Sequence, residues 1–296
     1  MMNSFSTYHP GVNFFYFTAM ITGAMFFTHP VFQGISLFSA FVYYISLKWK
    51  KGLKVNVCIL ILMLLLTAFI NPLFNHEGVT IIFYLKSGNP VTFESILCGI
   101  SSGVMFATVI LWFGCYNAVM TSDKFTYLFG KIIPASSLIF SMALRFVPRY
   151  MEQIKIISDG QKCIGKDVTQ GCMIQRVKNG LKILSIMTTW ALENSVETAD
   201  SMKSRGYGLP NRSSFYFFRF DGRDRFCLFT MVVLMALVLV GALTGHNTIR
   251  FFPSIKYPPI TFFSLSLYAV YFFLCITPVA INLLEAFLWE YIKSGT

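Results

Sequence analysis

The chain has 296 residues, of which 55% are hydrophobic and only 12% charged, where soluble domains carry about 25% charged residues. That composition excludes an ordinary cytosolic enzyme, a disordered chain and a disulfide-stapled secreted domain. The net charge of +11 would suit nucleic acid on a polar globule, but uncharged runs fill half of this sequence, so no nucleic-acid partner is expected and the basic charge needs another explanation.

Those runs lie at 1–47, 55–76, 95–122, 226–249 and 257–284, each at least the roughly 20 residues that cross a bilayer. The first is long enough for two spans, near 12–28 and 31–47, parted by the turn Thr28-His29-Pro30 with Gly34 following. About six spans result. Lys48, Lys50, Lys51 and Lys54 follow the second span, and a Lys/Arg excess in a short loop marks the cytoplasmic side. Alternation then puts 72–94 and 246–258 outside, 121–225 inside, and both termini in the cytoplasm. Of 24 basic residues, 16 fall in 121–225 and 4 in 48–54, as this topology requires. The expected organisation is spans one to four in 1–120, a cytoplasmic region 121–225, and spans five and six in 226–296 of a multi-pass cell-membrane protein.

No Lys or Arg precedes Lys48, so the first span lacks the basic start of a cleaved signal peptide and is expected to be retained. Seven cysteines without a CxxC pair point to neither disulfides nor zinc. All four histidines fall in expected tails or outer loops, and the spans hold no acidic residue before Glu285, which argues against a proton or sodium relay and against an intramembrane metalloprotease. Trp49, Trp112 and Trp289 read as interfacial or lipid-facing aromatics. Gly99, Ser101, Ser102 and Gly103 would let another helix, including one from a partner, approach the fourth span closely.

Residues 121–225 carry 16 basic and 9 acidic side chains among apolar residues at helical spacing, which predicts two long amphipathic helices. The first opens at Pro134, carries Leu138, Met142, Phe146, Met151, Ile154 and Ile157 at steps of three to five ahead of Gly160 and Gly165, and is kinked by Pro148. In the second, Ile174, Val177, Leu181, Leu184, Thr188, Ala191, Ser195, Ala199 and Met202 form an unbroken stripe that should face something apolar. Its charged face carries Arg176, Lys178, Lys182, Glu193, Glu197 and Lys203. It ends at Arg205-Gly206-Tyr207-Gly208-Leu209-Pro210, a common stop signal in its own right. The first helix also ends in a basic, glycine-bearing segment, Gln161-Lys162-Cys163-Ile164-Gly165-Lys166, and two ends of like style suggest one docking surface.

Taken together, the turn Thr28-His29-Pro30, the segments Asp123–Gly130 and Leu144-Arg145-Phe146-Val147-Pro148, and above all Ala199–Gly208 resemble the transmembrane T component of energy-coupling factor (ECF) transporters, bacterial and archaeal importers of vitamins and metals. The resemblance implies an all-α polytopic membrane protein with about six transmembrane helices plus two long amphipathic cytoplasmic coupling helices. It implies a noncatalytic subunit without cofactor or metal, whose partners are two ATP-binding-cassette (ABC) ATPase subunits and a substrate-binding membrane S component. In that family each coupling helix ends in Ala-Arg-Gly, and the arginine docks on one ATPase. Ser204-Arg205-Gly206 matches with serine for alanine. Cys163-Ile164-Gly165 matches less well, lacking the arginine, and Lys162 or Lys166 would replace it only in part because neither has a planar fork. Arg145 and Pro148 shape the first helix, and Gly208 belongs to the second ending.

The chain holds no G-x-x-x-x-G-K-[ST] motif, so ATP hydrolysis falls to a partner. The enzymatic alternative is Glu193-x-x-x-Glu197-x-x-Asp200, three carboxylates on one helical face that would suit magnesium and a diphosphate, as in integral-membrane prenyltransferases. Such an enzyme needs a second acidic cluster, and 121–192 offers only the scattered Asp123, Glu152, Asp159 and Asp167, so a solvated polar face is the preferred reading. A nonenzymatic scaffold or channel would share the composition and lack the ATPases. Some of the insert's cations would also meet anionic lipid.

Overall fold

The computed structural model describes residues 4–47, 53–84, 90–130, 134–169, 171–207 and 218–294. Gly208, Lys48, Lys50, Lys51, Trp49, Lys86 and Pro210 lie outside the described residues. After a 3₁₀ turn at Ser4–Thr7 come nine described helices: α1 Pro10–Phe26, α2 Pro30–Leu47, α3 Leu53–Phe74, α4 Phe93–Val119, α5 Ser122–Gly130, α6 Pro134–Cys163, α7 Met173–Ser204, α8 Gly222–Leu243 and α9 Phe262–Ser294. The strands β1 Ile81–Tyr84 and β2 Pro90–Thr92 pair antiparallel between α3 and α4. The protein is an all-α polytopic membrane protein. Among the described residues four helices, α2, α4, α8 and α9, are long and apolar enough to cross a membrane, and α1 and α3 occupy the two remaining expected places.

The helix starts follow from their sequences. Pro10 and Pro30 each open a helix, where a missing N–H costs nothing, and the histidine before each supplies an acceptor: His9 Nδ1 takes the Gly11 amide at 3.1 Å and His29 Nδ1 the Val31 amide at 3.3 Å. Thr92 caps α4 by accepting the Ser95 amide at 3.3 Å. Two helices run past the nearest break in the sequence. The last helix continues past 284 to Ser294, because Glu285, Glu290 and Lys293 lie within it and neither Gly nor Pro follows Pro278 until Gly295. The first amphipathic helix runs through Gly160 to Cys163, since one interior glycine costs only about 1 kcal/mol relative to alanine.

The chain divides into two compact units. One is Met1–Lys124 with Phe218–Thr296, the other Phe125–Phe217. In the first, α4 packs against α1, α2 and α3, and α9 against α2 and α8. The core is aromatic: Phe5, Tyr16, Phe17 and Tyr43 are buried with Trp112, meeting largely edge to face, as Tyr16 meets Trp112 at 5.8 Å and 76°. Trp112 is therefore not an interfacial aromatic. It is fully buried, and its indole donates to Ser36 Oγ at 3.0 Å. Trp289 is exposed. The small residues of α4 serve contact within the chain, not a partner. A Cβ on Gly103 would lie 2.4 Å from Thr67 Oγ1 and one on Gly99 2.9 Å from the Thr67 carbonyl, so α3 seats directly on the glycines, while Ser101 donates to Gln33 of α2 at 3.0 Å.

In the second unit α6 and α7 pack on each other. Tyr150 meets Trp190 edge to face at 5.7 Å, and the Arg149 guanidinium stands 5.7 Å from the same indole. The loop between the helices is tied to the start of α7: Asn179 donates to the Asp167 carbonyl at 3.0 Å and Arg176 Nε to the Val168 carbonyl at 2.8 Å. The end of α6 thus lies beside the beginning of α7 while Tyr150 reaches Trp190 further along, so the two helices run antiparallel.

Candidate functional site

Both helix tips close with the same hydrogen-bonded motif. At the end of α6, the Lys166 amide donates to the Gln161 carbonyl and the Gly165 amide to the Lys162 carbonyl, each at 2.9 Å. At the end of α7, the Tyr207 amide donates to the Met202 carbonyl and the Gly206 amide to the Lys203 carbonyl, each at 3.0 Å. These are the six-to-one and five-to-two bonds of a Schellman cap. The glycine falls at the left-handed position in both, with φ of 72° at Gly165 and 76° at Gly206, which other residues occupy only with strain. Superposed by their bonds, Cys163 answers to Ser204, Ile164 to Arg205, Gly165 to Gly206 and Lys166 to Tyr207. The motifs singled out in the sequence are therefore equivalent in backbone as well as in order.

The two tips do not make one surface, and that expectation is corrected. Because α6 and α7 are antiparallel and Asn179 bonds Asp167 beside the α6 tip, the 26 positions from Asn179 to Arg205, at 1.5 Å each, separate the tips by about 40 Å along the pair. Each tip is exposed. Ile164 is 59% accessible, Cys163 and Arg205 are open to solvent, and Arg205 forms no ion pair among the described residues. At the α6 tip, Lys162 meets Asp159 at 3.4 Å. Lys166 lies against Lys182 of α7, and its hydrogen bond first and then its charge hold Lys182 below the ordinary lysine range. Two neighbouring cations are thus left facing water beside an exposed isoleucine.

The apolar stripe of α7 does not face its helix partner. The buried residues of α7 are Ile183, Met187 and Asn194, spaced to form one face, whereas Ile174, Val177, Leu181 and Leu184 of the expected stripe are exposed, Ile174 by 79%. Leu192 and Val196 extend the exposed apolar surface, and α6 adds Val147, Met151, Ile154 and Ile156. Arg145 lies on α6 with its side chain exposed, and Pro148 is accommodated inside the same helix. Glu193, Glu197 and Asp200 are exposed on α7, and no group of three or more His, Cys, Asp or Glu is placed to hold a metal among the described residues.

Three buried charges escaped the sequence reading. Glu94 accepts from the Thr80 hydroxyl at 2.7 Å and its amide at 3.2 Å, bracing the paired strands β1 and β2. Asp224 and Lys124 are buried in the first unit. The spacing Asp221-x-x-Asp224, an N-cap followed by a carboxylate three residues on, was the available signal for Asp224. Nothing in the pattern marked the other two.

No family model matches the chain. It is similar to proteins named energy-coupling factor transporter transmembrane protein EcfT. That of Lactobacillus helveticus is 30% identical over 114 residues, 38% of this chain and 41% of the relative. That of Bacillus subtilis is 28% identical over 200 residues, 64% of this chain and 73% of the relative, and that of Brevibacillus brevis 24% over 222 residues, 71% and 82%. In the first relatives the match spans about two fifths of their length.

Proposed function

We propose that this chain is the T component of an ATP-driven ECF-type importer, a noncatalytic coupling subunit in the cell membrane that moves a vitamin or metal with the help of other subunits. The region 121–225 and both termini lie in the cytoplasm on this reading, with spans one to four in 1–120 and spans five and six in 226–296. The observation that carries the proposal is the pair of matched, exposed Schellman tips at opposite ends of one antiparallel helix pair. Two separated points suit two separate ABC ATPase subunits. Each glycine brings the backbone close to a partner, and the residue before it projects from the cap.

At the α7 tip that residue is Arg205, whose fork can grip a carboxylate in two parallel charge-assisted bonds. At the α6 tip it is Ile164, so docking there is apolar at the cap and ionic at its side, where a partner carboxylate would relieve the Lys166–Lys182 repulsion. Helices of 30 and 32 residues act as levers: when the ATPases close on ATP, the tips follow and the helices turn. The exposed stripe from Ile174 to Leu184 meets the substrate-binding S component and carries that movement to it.

The test is tagged purification in mild detergent of wild type, Arg205→Glu and Arg205→Lys. Two ABC ATPases should accompany the wild type, and one of them should fall away with Arg205→Glu and be partly retained with Arg205→Lys. A wild type that purifies alone, without ATPase activity, overturns the proposal.

A further inference from the structure

The chain passes from the first unit into the second after Lys124 and returns at Phe218. These crossings are 94 positions apart in sequence, yet both are fastened to the same six residues, Ser4–His9. At the outgoing crossing Lys124, 7% accessible, donates through Nζ to the Ser6 carbonyl and to the Val119 carbonyl, the latter at 3.0 Å. A cation at the last turn of α4 also suits the helix dipole. No carboxylate pairs with Lys124 among the described residues, so carbonyl oxygens alone hold a buried charge.

At the returning crossing the grip is denser. The His9 amide donates to Asp224 Oδ1 at 3.2 Å, while Asp224 Oδ2 accepts the Asp221 amide at 3.2 Å. Arg223 stands 4.3 Å over the Tyr8 ring, donates to Thr7 Oγ1 at 3.4 Å and pairs with Glu285 at 3.3 Å. His9 and Phe220 meet edge to face at 5.0 Å. The segment itself is pinned to α9, its Phe5 amide donating to Asn282 Oδ1 at 3.0 Å, and Phe5 is wholly buried. A short stretch ahead of the first helix needs none of this for α1 to form.

We infer that Ser4–His9 is a clasp, and that Lys124 and Asp224 are positioning residues which bind the two crossings into one mechanical anchor for the coupling helices. Its role in transport rests on the coupling reading above. A lever turns only about a fixed pivot. Were the two chain crossings independent, movement at the tips would be lost in bending there instead of reaching the membrane unit. Neither residue touches the tips, so neither is needed for docking.

The anchor itself is measurable without knowing the cargo, by amide hydrogen exchange of the full chain in lipid nanodiscs. Lys124→Met should speed exchange about tenfold at 122–130, the size expected for losing a charge-assisted hydrogen bond, and should also speed it at 218–226. Asp224→Asn should loosen both regions from the other end, so the test survives if one variant does not fold. Lys124→Arg, which keeps the cation, should leave both protected. If each variant loosens only its own crossing, the shared anchor is refuted. The coupling reading stands or falls separately, on whether the wild type brings down the ATPases; both positioning variants should still bring them down.

Discussion

Gly160 and Gly165 lie five residues apart at one helix end, and alanine at each should act in opposite directions. Gly160 is inside α6, and an added Cβ meets nothing within 4 Å. Gly160→Ala therefore removes only the entropy cost of glycine in a helix and should stabilise the last turn by about 0.5–1 kcal/mol. Gly165 is equally open, with nothing within 4 Å, but its φ is 72°. With no collision to add, Gly165→Ala costs what a side chain costs in the left-handed region, about 1–2 kcal/mol. At 1.4 kcal/mol per factor of ten, opening of the cap should rise about 5- to 30-fold for Gly165→Ala, and opening of the turn should fall about 2- to 5-fold for Gly160→Ala. Hydrogen exchange of the full chain, read on peptides spanning 158–167, resolves changes of that size. Equal signs for the two variants, or slower exchange in Gly165→Ala, would refute both the left-handed cap and the passage of α6 through Gly160.

Acid sensitivity should trace to His29. Its ring is buried and stacked on Tyr268, and burial first, then His246, hold its pKa below the ordinary 6.5. The fold thus favours the neutral ring, so this contribution is intact above 6.5 and is lost as pH falls through the lower folded value. The thermal midpoint in detergent should drop on acidification below 6.5, and His29→Asn, which keeps an acceptor for the Val31 amide, should flatten that dependence; an unchanged slope counts against the assignment. Gly103→Ala should destabilise by about 1–3 kcal/mol through overpacking. Because the nearest atom to the new Cβ is Thr67 Oγ1 at 2.4 Å, with Leu64 Cα next at 3.0 Å, adding Thr67→Ala should recover part of the loss, and strict additivity in a double-mutant cycle would disprove the contact.

What was legible in the sequence was what single residues or uncharged runs decide. The uncharged runs located six helices because a bilayer permits little else, and Gly206 after a basic last turn announced its own cap. Illegible features depended on partners distant in sequence. Trp112 reads the same whether it meets lipid or Ser36. Gly99 and Gly103 read the same whether α3 or a foreign helix sits on them. Charge-free patterning also could not say which face of α7 is covered, since both the stripe of Ile174, Val177, Leu181 and Leu184 and the pair Ile183 and Met187 are apolar at helical spacing. Only the packing of α6 decides that the second set is buried. Lys124 was hidden among 25 charged residues of the insert because nothing local distinguishes a buried charge from a solvated one, and Asp224 showed only through its spacing from the Asp221 cap.

The equivalence of Ile164 and Arg205 was hidden for the opposite reason: the side chains differ where the backbones agree. Scoring the first tip by its missing arginine makes it a poor match, whereas its hydrogen bonds and the φ of Gly165 match the second tip closely. On the coupling reading this has a sharp consequence. With about 40 Å between the tips, each should hold its own ATPase, so damage at one should spare the other. Ile164→Asp places a carboxylate on the cap without touching the glycine, and should deplete one ATPase from the purified complex in the absence of nucleotide. Arg205→Glu should deplete the other. Lys166 and Lys182 would partly neutralise the carboxylate introduced by Ile164→Asp, so that variant's effect should grow with salt, while loss of the Arg205 ion pair should matter less as salt screens it. Loss of both ATPases in equal measure from either variant would mean that the tips act as one surface after all, and that their separation along α6 and α7 does not describe how the complex is held.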